Sequence, residues 1–411
     1  MRLNLANDPA IALAQEWVGQ LDDWFEQHGT AGFDPFDVKA HPLIQKCQSR
    51  PLPRRASTVL CDLFPRASRR LLGVQPSENP KTHALLALGL LRLHQATGEP
   101  RWLEKAVVRL RWLMDHPSPG QDALCWGYPF SVTAKGLHTP PHTPVAVVSA
   151  IAGQAFLLAW EVTESQKWVD AALSVARFMM EKLPRLDTGG GLYCFAYTPG
   201  DHRRVFNASL LTAEHLIRCG KIGGKPELVE AALPAVRCAV AAQREDGAWP
   251  YGMSVPGDGY EPELLAVVDN HHMGFVLRSL HAIDQEVLGE IPAWTLEHGF
   301  DYYRKHLLEP SGMPRTAHGR MPVDIHACAE AVLCPSVLSE RFRNCQPAAL
   351  AAMRWAHEMM RDPRTGAPWH RKYPLFTSKI AYPRWGAAWM HRALAEYLFR
   401  FHPRTGPVST P

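Results

Sequence analysis

Asp269-Asn270-His271-His272-Met273-Gly274-Phe275-Val276-Leu277 begins an amphipathic helix that the chain enters from a glycine- and aromatic-rich loop, Glu245-Asp246-Gly247-Ala248-Trp249-Pro250-Tyr251-Gly252. Polar clusters of the same kind begin four other helical patterns, at His142-Thr143-Pro144, Arg203-Arg204-Val205-Phe206-Asn207, Asp324-Ile325-His326 and Arg384-Trp385. A helix start that recurs at a regular interval indicates stacked helical hairpins.

Each hairpin pairs an apolar first helix with an amphipathic second helix, which predicts an inner and an outer layer. The apolar run Ala84–Leu93 is followed, for example, by a helix with Trp102, Leu103 and Ala106 on one face. The period is roughly sixty residues, and first helices are predicted to begin near residues 80, 144, 206, 270, 325 and 385. The N-terminal helix, at about residues 10–28, would be the partner of the last one.

Six such pairs that close on themselves form an all-α (α/α)6 toroid, or six-hairpin barrel. We expect one domain over residues 1–411, with an irregular N-terminal segment at about 29–64, where proline and arginine are frequent. An open solenoid is the alternative, but it would expose its terminal apolar helices, and no polar capping repeat is evident. Strands and helices do not alternate, so a parallel sheet is not expected.

The composition narrows the class of protein. The chain has 44 basic and 40 acidic residues and no basic run, so neither nucleic acid nor an anionic membrane is an expected partner. No segment reaches about 18 uncharged apolar residues, and the N-terminus lacks the apolar core of a secretory signal. These features favour a cytoplasmic protein.

The nine cysteines are scattered and include no Cys-x-x-Cys pair. They are interpreted as buried, reduced thiols. A zinc site is the alternative for the histidine-rich segments, but no His-Glu-x-x-His or similar ligand spacing occurs. The prediction is therefore no metal and no cofactor. Dinucleotide-binding, Walker and nucleophile-elbow motifs are also missing from the sequence.

The loops that precede the inner helices place all the inner N-termini at one end of a closed ring. Those ends carry free backbone N–H groups and partial positive charge, which suit an anionic ligand. We therefore predict a single polar pocket there, built from residues far apart in sequence. Its walls would be aromatic loop residues that serve as platforms for sugar rings, namely Trp126, Tyr128, Trp249 and Tyr251.

Four residues are the predicted catalytic groups: His271, His272, Asp324 and His326. Adjacent residues on a helix point about 100° apart, so His271 and His272 cannot both face the core. Histidine serves as an acid or a base near neutral pH. The alternative is that Asp324 only caps its helix and that His326 is merely solvated.

Substrate binding is assigned to a second group of polar residues. Arg203 and Arg384 would hold an anionic group bidentately, unless they are ordinary surface arginines. Asn207 would cap its helix or bond a hydroxyl. Asp269 and Asn270 are also assigned to substrate binding, with helix capping as the alternative.

These segments resemble a family of bacterial exopolysaccharide and capsule biosynthesis proteins. The similarity rests on Trp249-Pro250-Tyr251-Gly252, Asp269–Leu277, Pro322–His326, Arg384-Trp385-Gly386, Gly32–Asp37 and Ala196-Tyr197-Thr198-Pro199, and covers most of the chain. The resemblance implies a cytoplasmic toroid related in fold to six-hairpin glycosidases and sugar epimerases. Met273 stands where the family often has a hydroxyl residue, so no role for a hydroxyl is carried over.

The sequence thus predicts a carbohydrate-active enzyme of surface polysaccharide biosynthesis. Its substrate would be a uronate or amino-sugar glycan, an oligo- or polysaccharide, and polysaccharide assembly proteins are candidate partners. The abundance of histidine over carboxylate at the helix starts favours an epimerase or lyase that uses His as its base. A glycoside hydrolase, which would use two carboxyls, and a non-catalytic glycan-binding or scaffold protein are the alternatives.

Overall fold

The computed structural model describes residues 8–48, 51–134, 137–255, 262–315 and 319–402. In chain order its helices are α1 Pro9–His28, α2 Pro42–Gln48, α3 Pro51–Leu63, α4 Pro65–Leu71, α5 Pro80–Thr97, α6 Pro100–Asp115, α7 Ala146–Thr163, α8 Gln166–Lys182, α9 Phe206–Gly223, α10 Pro226–Ala241, α11 Pro262–Leu265, α12 Asn270–Glu286, α13 Ala293–His306, α14 Ile325–Leu338, α15 Cys345–Met359 and α16 Ala388–Phe401. Short turns of other helix types lie at Val38–Ala40 and Pro383–Ala387.

Six of these helices form a closed inner ring in the order α5, α7, α9, α12, α14 and α16. Each packs on the next, and α16 packs on α5, so the ring closes between the last helix and the first of the set. All six begin within four residues of the predicted positions. The (α/α)6 toroid is therefore confirmed, and the open solenoid is excluded because its two terminal helices would not meet.

The outer layer covers the apolar faces of the ring. It consists of α6, α8, α10, α13 and α15, with α1 packed beside α16 and α15 as the predicted sixth partner. Burial explains the different compositions of the two layers. In α7, for instance, residues Ala146–Ala159 are all buried, whereas α8 buries only the face that includes Trp168, Ala172 and Val175.

The segment after α1 is more regular than its composition indicates. The prediction of an irregular stretch at about 29–64 holds up to His41, but α2 and α3 occupy most of the remaining residues of that stretch. The reason is the position of the prolines. Pro42 and Pro51 are the first residues of their helices, where a proline breaks no intrahelical hydrogen bond and its fixed φ already suits a helix.

Short antiparallel strands connect the hairpins. They are β1 Val132–Ala134, β2 Leu137–Thr139, β3 Arg185–Gly189, β4 Leu192–Phe195, β5 Arg204–Val205, β6 Gly252–Met253, β7 Val323–Asp324, β8 Arg371–Lys372 and β9 Thr377–Ser378. The pairs are β1–β2, β3–β4 and β5–β6, and the last three strands form one sheet in the order β7–β8–β9. β5 pairs with β6, which ties the loop before α9 to the loop before α12.

Helix α7 is long and apolar enough to cross a membrane by composition alone. Within the described residues, 78% of that stretch is buried inside the ring, as the core helix of a toroid requires.

The cysteines lie mostly in the protein interior. Eight of the nine are buried, and Cys47 is half-buried. Sγ of Cys194 lies 3.7 Å from Sγ of Cys238, and both are free thiols.

Candidate functional site

A cavity of about 340 Å³ lies at the end of the ring where the inner helices begin. All six inner helix starts contribute to its lining, through Lys81, Val147, Asn207, His271, His326 and Trp385. The loops add the remaining walls: Phe36, Tyr128, Phe130, Tyr197, Arg203, Tyr251 and Arg384 among them. This is the convergence that the recurring helix starts predict.

His271 and His326 lie side by side on this cavity. Their rings are stacked, with centroids 4.8 Å apart and planes inclined by 27°. Burial lowers the pKa of His271 to about 4, with Asp269 opposing the effect and His272 adding to it. Burial also lowers the pKa of His326 well below its ordinary value, and His271 and Lys81 add to that shift. Both imidazoles are therefore neutral at pH 7, the form that accepts a proton.

His326 is held by packing rather than by hydrogen bonds. Its ring stacks on Trp389 at 4.8 Å and meets the edge of Trp385 at 4.6 Å. Both of its ring nitrogens are buried without a hydrogen-bond partner among the described residues. Burying an imidazole without hydrogen-bond partners costs free energy, so the site favours a ligand that supplies those hydrogen bonds.

Asp269 anchors the other two histidines. It caps α12 by accepting the backbone N–H of His272 at 2.9 Å, and its Oδ2 lies 2.6 Å from Nδ1 of the same residue. Its Oδ1 lies 3.2 Å from Nδ1 of His271. Burial alone would raise the pKa of Asp269, but His271 and His272 outweigh it and hold the carboxyl ionised. Asp269 does not line the cavity, so its place is behind the histidines and not against a substrate.

His272 is the third histidine that lines the cavity, with His271 and His326. Its ring lies 4.5 Å from the ring of Tyr251, which also lines the cavity. The carboxylate at Nδ1 fixes the orientation of the ring and directs Nε2 away from Asp269.

Lys81 is a lining residue that the sequence analysis did not single out. Its side chain is almost completely buried, and Nζ lies 5.2 Å from the centroid of the Trp389 ring. Burial, together with the charge of Arg384, lowers the pKa of Lys81 well below its usual value. Among the described residues no aspartate or glutamate lines the cavity, so its amine faces a space without a compensating carboxylate.

The two predicted clamping arginines line the cavity but carry their own counterions. Arg203 donates from Nε to both carboxylate oxygens of Asp201, at 2.9 Å each. Arg384 makes a two-point contact with Asp34, with Nη2 at 2.7 Å from Oδ1. Each pair is close to neutral as a unit. These arginines therefore present N–H donors and flat faces rather than net charge, and their binding of an anionic group stays a prediction.

The early segment Gly32–Asp37 supplies that counterion. Phe36 lines the cavity, and its ring meets the edge of Trp385 at 5.2 Å. Asp34 of the same segment binds Arg384, some 350 residues further along the chain. The N-terminal segment thus closes one side of the pocket.

Asp324 is not a cavity residue, contrary to its predicted catalytic role. It caps α14 through the backbone N–H of His326 at 3.0 Å, and its Oδ1 accepts from Nε1 of Trp385 at 2.7 Å. Its Oδ2 lies 2.7 Å from Nη2 of Arg371. Burial would raise the pKa of Asp324, but Arg371 and His370 hold it below the ordinary value. A carboxylate held by this many donors is an orienting group for Trp385.

Three further predicted binding residues point away from the cavity. The indole of Trp126 donates to the carbonyl of Leu113 at 3.0 Å, and that of Trp249 donates to Ala239 at 2.7 Å. Both rings are fully buried. Asn270 is buried as well and donates to the carbonyl of Leu307. These side chains fasten inner helices or loops to the outer layer, because burying an indole or amide requires a partner for its N–H.

Asn207 and Tyr128 lie on the cavity as predicted. Oδ1 of Asn207 is buried with no hydrogen-bond partner among the described residues, and so is available to a hydroxyl. The ring of Tyr128 stacks on Phe130 and lies 5.0 Å from the guanidinium of Arg384. Their roles in substrate binding remain predictions.

One group of described side chains has a geometry suited to a metal ion: Asp269, His271 and His272, whose potential ligand atoms lie within 4.8 Å of one another. The hydrogen bonds that Asp269 already makes account for this clustering without an ion. That the protein uses no metal and no cofactor therefore stays a prediction.

No family model matches this sequence, and no curated protein matches it either. Its fold, however, is similar to that of solved structures. The cellobiose 2-epimerase of Bacillus thermoamylovorans matches with a TM-score of 0.64 at 9% identity, over 94% of this chain and 99% of that one. The enzyme of the same name from Spirochaeta thermophila gives 0.62 at 12%, over 97% and 99%. An unsaturated glucuronyl hydrolase specific for heparin gives 0.57 at 14%, over 94% and 96%. At these identities the likeness establishes the fold alone: that of sugar epimerases and six-hairpin glycosidases.

Proposed function

We propose that this chain is a carbohydrate-active enzyme that moves a proton on a sugar residue, with histidine as the acid and base. The observation that carries the proposal is the pair of neutral imidazoles, His271 and His326, exposed to one cavity that no described carboxylate lines. A glycoside hydrolase would need two carboxyl groups about the scissile bond. Asp269 and Asp324 do not line the cavity, and each is already bound by neighbouring side chains.

The chemistry follows from these protonation states. A neutral imidazole removes the proton from the carbon next to a carbonyl, and the electron pair of the broken C–H bond forms the double bond of an enediolate. Its oxygen would develop negative charge, which the N–H donors of Arg203 and Arg384 and the amine of Lys81 stabilise. Return of a proton to the opposite face of the carbon gives the epimer. Elimination of a group one carbon further along gives the unsaturated product of a lyase instead.

The proposed substrate is an oligo- or polysaccharide that contains a uronate or amino sugar, handled in the cytoplasm during surface polysaccharide production. The resemblance of the motifs around Asp269–Leu277 and Pro322–His326 to capsule and exopolysaccharide proteins supports this context. The flat walls at Tyr128, Tyr251 and Trp385 suit sugar rings. Polysaccharide assembly proteins are the proposed partners.

One experiment separates the candidate reactions. The purified protein is incubated in D2O with a panel of reducing disaccharides, uronates and amino-sugar oligosaccharides, and products are followed by NMR and mass spectrometry. An epimerase gives an isomer with one deuterium at the carbon next to the carbonyl. A lyase gives a fragment with a carbon–carbon double bond. A hydrolase gives fragments that have gained water and carry no deuterium on carbon, and this result would replace the proposal. Ligands that bind but are never converted would indicate a glycan-binding or scaffold protein.

A further inference from the structure

A second cavity lies at the opposite end of the ring, where the inner helices end. Its volume is about 240 Å³, and its lining includes five arginines, at positions 92, 218, 278, 392 and 400. The fully buried Trp389 lies close to a cationic side chain of each cavity. Lys81 of the first cavity lies 5.2 Å from its ring centroid, and Arg392 of the second lies 5.5 Å from it.

Four of the five arginines are already paired with acids. Arg278 binds Glu330 through two contacts, at 2.7 and 3.1 Å. Arg92 and Arg400 share Glu396, at 3.0 and 2.8 Å. Arg218 binds Glu161 at the rim.

Glu214 offsets the remaining charge only in part. It accepts hydrogen bonds from Gln154 at 2.9 Å and Ser279 at 2.8 Å, which any carboxyl, ionised or not, can accept. Burial raises the pKa of Glu214, which favours its neutral form.

Arg392 is therefore the exception in this cavity. It is buried, with a relative exposure of 9%, and Nη1 has no hydrogen-bond partner among the described residues. Burial and the adjacent Arg278 lower the pKa of Arg392 to about 9, and the opposing charges of Glu396, Glu330 and Glu214 cancel only part of that shift. Oε1 of Gln154, on the same cavity, is also buried without a partner.

We propose that this second cavity binds the oxyanion group, phosphate or carboxylate, of a small molecule, with Arg392 as its principal contact. An oxyanion supplies what the site lacks: a negative charge in direct contact with a guanidinium that the nearby glutamates compensate only in part, and an acceptor for its unpartnered Nη1–H. The volume of about 240 Å³ limits the ligand to a small molecule. The site is separate from the proposed catalytic cavity, so this inference stands whether or not the proposed reaction is correct.

The test measures ligand-dependent stability of the full chain. Thermal midpoints are recorded in a chloride buffer of constant ionic strength, with inorganic phosphate, D-glucuronate or D-glucose titrated separately. We expect phosphate or glucuronate to raise the midpoint with a logarithmic dependence on concentration, because a ligand that binds only the folded state stabilises it by mass action. Which of the two acts more strongly identifies the source of the oxyanion. An equal response to glucose would overturn the proposal, since charge would then not be the recognised feature.

Arg392→Met assigns the effect to this cavity. The variant should lose the response to the anion while being at least as stable as the natural chain without it, because the substitution removes a buried, unpaired charge. Arg237→Met is the matched control, since Arg237 lies on the outer surface and pairs with Glu290; it should keep the full response. A response that survives Arg392→Met would place the anion elsewhere and overturn the proposal.

Calorimetric titration of the natural chain provides a measurement that does not depend on any variant folding. It should show one anion bound per chain in the same concentration range as the thermal shift. No binding, or binding that Arg392→Lys leaves as strong as in the natural chain, would contradict a site built around the two-pronged guanidinium.

Discussion

His271 and His326 matter because of their protonation state as much as their position. If either acts as the base or acid, replacing it with glutamine should lower kcat by about 10²–10⁴-fold while changing substrate affinity much less. The measurement is steady-state kinetics on the substrate found in the D2O screen, with direct titration of the same ligand. His28→Gln, at the exposed end of α1, is the control and should retain full activity. Turnover that survives His271→Gln and His326→Gln together would contradict the histidine mechanism.

Asp269 should act through the histidines, and its test is a pH profile. The negative charge of Asp269 raises the pKa of His271, opposing the larger effect of burial. In Asp269→Asn the amide oxygen keeps the helix cap but loses the charge, so the pKa of His271 should fall further below about 4. The acid limb of kcat should therefore move to lower pH, accompanied by a lower kcat from a less well-oriented ring. A limb that stays in place, or moves to higher pH, would contradict the inference that the charge of Asp269 raises the pKa of the base.

Individual side chains are also where sequence reasoning was least reliable. The sequence predicts cavity positions for His271, His326, Asn207 and Tyr251 because they begin, or lie just before, inner helices. Trp249 lies in the same kind of loop but turns toward the core, and spacing gives no signal for the direction of a loop side chain. Nor could spacing show that Arg384 is neutralised by Asp34, because that pair joins the two ends of the chain.

At the scale of helices, the sequence predicts the ring of inner helices but not the charged residues that lie between them. An apolar helix followed by an amphipathic one, repeated at a constant interval, specifies two layers and the end at which the polar starts gather. Lys81 was missed because its helix start, Asn79-Pro80-Lys81, has neither histidine nor an aromatic residue. The charged residues of the second cavity, such as Glu214 and Arg392, lie within otherwise apolar patterns, which a search for hydrophobic periodicity passes over.

Glycines let the inner helices approach one another, and this yields a stability prediction. A Cβ at Gly153 of α7 would lie 2.3 Å from Cε1 of His215 on α9. That ring cannot move aside easily, because its Nε2 is 2.9 Å from the carbonyl oxygen of Ala172. Gly153→Ala should therefore lower the free energy of unfolding by about 1–3 kcal/mol despite the better helix propensity of alanine.

Gly19→Ala in α1 is the matched comparison. Nothing lies within 4 Å of the added methyl group there. Only helix propensity should change, so the free energy of unfolding of this variant should rise by up to about 1 kcal/mol. Urea unfolding of both variants measures whether each free energy of unfolding falls or rises. An unchanged value for Gly153→Ala would contradict the prediction, because it would mean that α7 and α9 can move apart at no cost in free energy.

At the scale of the complete toroid, the closed ring holds neutral histidines in its interior, and this makes stability depend on pH. Burial lowers the pKa of His215 to about 4 and that of His391 to about 3. In the unfolded chain both would titrate near about 6.5. Between these values the unfolded state binds protons that the folded state does not, so the free energy of unfolding should be constant above about pH 7 and should fall as the pH drops from about 6.5 toward 4.

Urea midpoints at about pH 7.5, 6.5, 5.5 and 5 would measure this fall in a range above most carboxylate titrations. His215→Gln should make the decline shallower by removing one protonating site, since glutamine can still donate to the carbonyl of Ala172. The m-value should stay the same, because the surface exposed on unfolding does not change. Midpoints that do not decline between about pH 6.5 and 5 would mean that the buried histidines are already protonated in the folded ring. The neutral imidazoles proposed for the cavity would then lose their physical basis, because burial acts on them in the same way.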